Sequence, residues 1–189
     1  MIRIGILGEI GAGKSFVAKN FGYPVFDADL EVSKLYKSNK RIFLKLNKKL
    51  PKYILSFPIE KKQITKAILS NNSNFKKILN TVHLEIRKKM NIFLEKNKNK
   101  KIVILDIPLL LENKIFKKKD ILVFIDSPKK EIKRRLKKRP NFNTKLFKKF
   151  KRIQFTPAYK KRKAKFIIKN KFTKKSVSVG IKKVLQKVL

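Results

Sequence analysis

With 189 residues, 42% of them hydrophobic, the chain is long enough to bury one core with room for a small appended domain, and composition excludes disorder. No apolar run approaches the roughly 18 residues of a membrane helix, and Arg3 breaks the first apolar stretch, so neither a signal peptide nor a membrane partner is expected; the absence of cysteine excludes disulfides, thiolate metal sites and a cysteine nucleophile, and fits a cytoplasmic protein. The formal charge of +40 invites a nucleic-acid reading, but the lysines are spread along the chain and share their excess with Ile, Asn and Phe, as in a gene drifting toward A and T.

The first element, "IRIGIL" (2–7), has the length and apolarity of a strand and runs into a glycine stretch. "SFVAKNF" (15–21) reads as a short helix stopped by Gly22, and "YPVFDAD" (23–29) holds a second short strand. Strand, glycine loop, helix and strand within thirty residues outline a βαβ unit. From about residue 30 to 100 the pattern is helical. Its clearest helix starts at Ser73, taken as the N-cap, and carries Phe75, Ile78, Leu79, Val82, Ile86, Met90, Phe93 and Leu94 at three- and four-residue spacing. "KIVILD" (101–106) and "ILVFID" (121–126) are continuous apolar runs ending in aspartate, as buried parallel strands are. Ser127 and Pro128 predict an N-cap and first helical residue for "SPKKEIKRRLKKR" (127–139). "AKFIIKN" (164–170) supplies a fifth strand and a helix closes the chain. The expected fold is therefore α/β with a five-stranded parallel sheet, whose ligands bind beyond the carboxyl ends of the strands.

Three of only six glycines, Gly8, Gly11 and Gly13, precede Lys14 and Ser15 in "GEIGAGKS" (8–15), which meets the pattern G-x-x-x-x-G-K-[ST]. Glycine lets such a loop adopt positive φ and bring its N–H groups against phosphate oxygens, while the following helix offers its positive end. Gly8, Gly11, Ala12, Gly13, Lys14, Ser15 and Phe16 form the expected ATP cradle, with Lys14 reaching the β- and γ-phosphates and Ser15 holding Mg²⁺. Four of the five aspartates, Asp27, Asp29, Asp106 and Asp126, fall at or just past predicted strand ends, on the side of the loop. Asp126, followed by Ser-Pro, reads first as a turn residue; Asp29 and Asp106 read as functional, because an acceptor hydroxyl needs a carboxylate and magnesium needs oxygen ligands.

Taken in order, "GEIGAGKS", "FDAD" (26–29), "DIPLLLEN" (106–113) and "RIQFTPAYKKRKAKFIIKN" (152–170) resemble the dephospho-CoA kinase family. The resemblance spans most of residues 1 to 170 and implies transfer of the ATP γ-phosphate to the ribose 3′-hydroxyl of dephospho-CoA, the last step of coenzyme A synthesis. It implies a P-loop NTPase core (1–29, 101–126 and 161–189), a helical CoA-binding insertion near 30–100 and a small lid near 127–160. It makes Asp29 the catalytic base, places Asp106, Pro108, Leu109 and Glu112 on the substrate side with Asp106 also toward the metal, and aligns Gln154 and Asn170 with the approach to and exit from the last strand. A monomer is expected.

Departures from the family pattern accompany these matches. Glu9 stands at a glycine position, Phe16 at a common threonine and Ser33 at an arginine for which Lys34 is the available substitute; Leu84 replaces a proline after His83, whose role is therefore not carried over. The lid arginines align in two registers: Arg135 with Arg139 keeps both guanidinium groups, whereas Arg134 pairs with Lys138. Two other functions compete: a different P-loop small-molecule kinase, such as a nucleotide kinase, against which "PLLLE" argues, and a basic nucleic-acid-binding module, against which scarce arginine argues.

Overall fold

A computed structural model describes residues 1–140 and 142–189; position 141, inside the span assigned to the lid, lies outside the described residues. The elements run β1 (Ile2–Gly8), α1 (Lys14–Asn20), β2 (Val25–Asp27), α2 (Ala28–Ser38), α3 (Lys40–Lys49), α4 (Lys61–Ser70), α5 (Asn72–Lys96), β3 (Ile102–Asp106), β4 (Ile121–Asp126), α6 (Lys129–Lys137), α7 (Thr144–Ile153), α8 (Pro157–Lys163), β5 (Phe166–Lys169) and α9 (Lys174–Leu185). The chain divides into two compact units, one of residues 1–27, 97–143 and 149–189, the other of 28–96 and 144–148.

The first unit is built on a sheet of order β2-β3-β1-β4-β5 in which every neighbouring pair is parallel. Burial on both faces explains why the inner strands are rich in large apolar residues: Ile4, Ile6, Ile102, Ile104, Leu105 and Ile125 are fully buried. Parallel register brings all the carboxyl ends to one edge. Asp27 lies beside Asp106, Gly8 beside Ile125 and Asp126 beside Lys169. The opposite edge is held by a buried ion pair, Arg3 to Asp120 at 2.9 Å, and Asp120 also accepts the N–H of Lys117. In the second unit α2, α3 and α4 each pack on α5, and Leu35, Ile42, Leu46, Ala67, Ile78 and Val82 form its core.

Two caps differ from the sequence expectation. The long helix begins one residue before Ser73, and Asn71 Oδ1 accepts the N–H of Asn74 at 2.7 Å, so asparagine holds the orphan amide there. Ser127 does not cap α6; its hydroxyl donates instead to the carbonyl of Ala12 at 2.9 Å, 115 positions away. The fifth strand is shorter than 164–170, because Ala164 still bonds back to Lys160 and Lys161 of α8.

Helix α9 sits so close to β5 that a Cβ at Gly180 would fall 2.6 Å from Ile168 Cγ2. Since Ile168 is itself fully buried, Gly180→Leu is expected to lower unfolding stability by about 1–3 kcal/mol, read as a lower denaturant midpoint at unchanged slope.

Candidate active site

The turn between β1 and α1 owes its shape to glycine at the positions that need it. Gly13 is left-handed (φ 82°) at the N-cap of α1, and a Cβ there would come within 2.7 Å of Asn170 Nδ2. That amide nitrogen donates to the Ala12 carbonyl at 2.9 Å, so the same oxygen accepts from both Asn170 and Ser127. Asn170 is in turn fixed from three sides: its N–H donates to Asp126 O at 2.7 Å, its Oδ1 accepts Phe172 N–H at 2.8 Å, and it is 1% exposed. Ile132 and Leu136 of α6 lie directly over Gly11. The loop is thus clamped by the ends of two other strands.

Lys14, the first residue of α1, folds its ammonium back across the loop and donates to Glu9 O at 2.9 Å and Gly8 O at 3.3 Å. These contacts park a cation over the amide-lined turn, at the positive end of a helix. Ser15 is exposed in the first turn of α1, and its hydroxyl is hydrogen-bonded to Asp106 at the end of β3. Burial pushes the Asp106 carboxyl above its ordinary value and adjacent Asp27 pushes the same way, against the Ser15 bond and the ammonium groups of Lys14 and Lys19. A buried carboxylate with an anionic neighbour and a hydroxyl is a set of hard oxygen donors that suits Mg²⁺, an ion that commonly completes its shell with water and phosphate. Among the described residues no group of three or more His, Asp or Glu forms an all-protein metal cage.

Beyond β3 the chain turns sharply. Leu109 is buried with φ 58°, left-handed for a residue with a Cβ, and Asn113 N–H closes the turn on Leu109 O at 2.9 Å. Pro108 is half-buried in the same turn. A small cleft at this edge is lined by Gly8, Lys14, Leu109, Glu112, Gln154 and Lys160. Glu112 faces it with one oxygen accepting both Lys160 Nζ (2.9 Å) and the N–H of Phe155 (2.8 Å). The arginines separate by geometry. Arg134 pairs with Glu131 at 2.6 Å on the exposed side of α6, Arg135 lies 4.6 Å over the Phe172 ring beside the loop clamp, and Arg139 is exposed past the end of α6. Phe16 is 42% exposed.

In the second unit, Asp29 is exposed in the first turn of α2. Lys34, the substitute for a missing arginine, is committed to Glu31 at 2.6 Å, and Glu31 also receives Lys89 at 3.0 Å. His83 lies half-buried on α5, and burial, then the neighbouring Arg87, lowers its pKa, which keeps it neutral near pH 7.

Sequence reasoning missed Ser127, because a serine before proline at a helix start is also what an N-cap looks like, and it missed Lys160, because one buried lysine inside "KKRK" carries no mark of burial. The model of a known protein family described as dephospho-CoA kinase matches residues 2–175. The chain belongs to the dephospho-CoA kinase family. It is a phosphotransferase with the fold of the P-loop kinases. A dephospho-CoA kinase of Wolbachia sp. subsp. Brugia malayi is 33% identical over 187 residues, covering 96% of this chain and 95% of that protein. One of Zymomonas mobilis is 31% identical over 173 residues, covering 90% and 88%. Among solved structures, dephospho-CoA kinase from Campylobacter jejuni superposes with a TM-score of 0.64 at 23% identity, covering 98% of this chain and 96% of that one, a likeness of fold.

Two outcomes follow from this geometry. Gly13→Ala forces a Cβ both into the left-handed region and against Asn170, and a strain of about 1–2 kcal/mol corresponds to ADP binding weakened roughly 5- to 30-fold by titration calorimetry. Because its folded pKa is raised, ionised Asp106 lowers stability at neutral pH. Asp106→Asn should therefore raise the thermal midpoint near pH 7, and the gain should vanish as pH falls below the unfolded carboxyl value of about 3.9.

Proposed function

We propose that the chain transfers the γ-phosphate of ATP to the ribose 3′-hydroxyl of dephospho-CoA, giving CoA and ADP. The observation that carries this reading is the hydrogen bond between Ser15 and Asp106 at the mouth of a glycine loop spanned by Lys14, in a chain whose family is named for that acceptor. In this scheme the N–H groups of residues 11 to 15 surround the terminal phosphates, and the Lys14 ammonium exchanges its two carbonyl acceptors for phosphate oxygens. Ser15 and Asp106 would hold Mg²⁺, which would neutralise charge on the terminal phosphates. Asp29 takes the proton of the attacking hydroxyl. Its exposure suits a group that must meet a second substrate.

Arg135 and Arg139 are the cations assigned to the transferring group. The position of Arg135 on Phe172, next to the Asn170 that clamps the loop, supports starting the arginine pair there, since Arg134 is taken up by Glu131. Pro108 and Leu109 shape the acceptor side, residues near 30–100 receive the CoA moiety, and the stretch near 127–160 closes as a lid that excludes water. A cytoplasmic setting fits a chain without cysteine; among the described residues no helix is long and apolar enough to cross a membrane.

Purified protein with ATP, Mg²⁺ and dephospho-CoA should form CoA and ADP, and turnover on a nucleoside monophosphate in place of that acceptor would refute the reading. Asp29→Asn should keep ADP affinity within about 3-fold and lose roughly 10²–10⁴ in kcat. Lys14→Ala should lose both binding and about 10²-fold or more in turnover. A normal kcat in the Asp29 variant would remove its assigned role.

A further inference from the structure

The cleft beside the glycine loop contains a carboxylate in a place where a polyanion is to bind. Its charged members are Lys14, Glu112 and Lys160. Glu112 and Lys160 are both more than nine-tenths buried at the side chain, and their contact is 2.9 Å. Only one Glu112 oxygen is satisfied; the other, Oε2, is buried with no hydrogen-bond partner among the described residues. An unscreened carboxylate at that spot repels phosphate on the far side of Lys14.

Local sequence explains how the lysine reaches it. Thr156 accepts the N–H of Tyr159 and Pro157 follows at the first helical position, so the cap of α8 comes immediately after Phe155. Lys160 then turns inward within one helical turn, whereas the next lysine, Lys161, goes to Asp126. The N–H of Phe155 bonds to the same Glu112 oxygen, and its neighbour Gln154 lines the cleft. Glu112 therefore does two things at once: its oxygen anchors the backbone that presents Gln154, and its charge is neutralised by Lys160.

We propose that Lys160 is a positioning residue of the phosphate site, acting through Glu112: it cancels the carboxylate that anchors Gln154, so that the loop cleft presents a net positive face to the nucleotide. This rests on the kinase reading for the identity of the ligand, and on the buried pair alone for the mechanism. Lys160 itself need not touch phosphate.

The test is a charge-rescue cycle read by ADP titration and by kcat and KM for ATP. Lys160→Met leaves the buried carboxylate uncompensated, and ADP binding should weaken about 30-fold. Adding Glu112→Gln removes the negative charge while keeping a carbonyl oxygen for the Phe155 N–H, and the double variant should recover ADP affinity to within about 5-fold of wild type. If the double variant binds as poorly as Lys160→Met, or if Lys160→Met binds normally, the proposal is overturned; the first result would mean that Lys160 contacts the nucleotide directly. Should Lys160→Met fail to fold, the double variant still decides, since a loss of more than about 5-fold in its ADP affinity refutes charge cancellation. Wild-type protein that binds ADP but does not phosphorylate dephospho-CoA would undo the acceptor assignment and leave this cycle valid.

Discussion

The shape of the glycine turn depends on one carbonyl. Ala12 O receives an amide from Asn170 and a hydroxyl from Ser127, which tie the glycine loop to the ends of β5 and β4 at 2.9 Å each. A loop that is to surround phosphate with N–H groups must direct its carbonyls elsewhere, and an inward-turned C=O buried without donors would be costly. Two donors on one oxygen settle the Ala12 carbonyl away from the mouth of the loop's Gly13 N-cap. Gly13 makes this possible, since any side chain there would occupy the space of the Asn170 amide.

The electrostatics repeat that economy. Against 52 bases the chain has 12 acids, and several of those acids occupy structural or chemical positions. Asp120 holds Arg3 at the amino edge of the sheet, Asp126 holds Lys161 near β5, Glu112 holds Lys160 in the cleft, and Asp106 faces Ser15 under the loop. Asp106 is the one kept at a cost: burial and Asp27 both disfavour its charge, which is the condition in which a divalent cation gains most by binding it.

The sheet was legible because burial on two faces leaves a mark in composition. The runs 101–106 and 121–126 match β3 and β4 within one residue, and the glycine motif falls between β1 and α1 as expected. What could not be read were contacts made by residues of ambiguous type. Ser127 has a cap's sequence context and a tether's role, Lys160 is one among four consecutive bases, and Arg134 and Arg135 differ only in the side of α6 on which they emerge. The aspartates at strand ends were visible as candidates; that Asp106 and not Asp126 meets Ser15 depends on strand order, since β3 and β4 flank β1 on opposite sides.

The clamp also sets an order of assembly. Its two donors come from positions 115 and 158 residues beyond the carbonyl that they grip, and the second follows the last strand. On a ribosome the glycine turn emerges before both of its anchors, and it stays half-tethered until Asn170 has left the exit tunnel. A nascent fragment that stops short of Asn170 therefore has the motif with only one of its two tethers, the Ser127 hydroxyl.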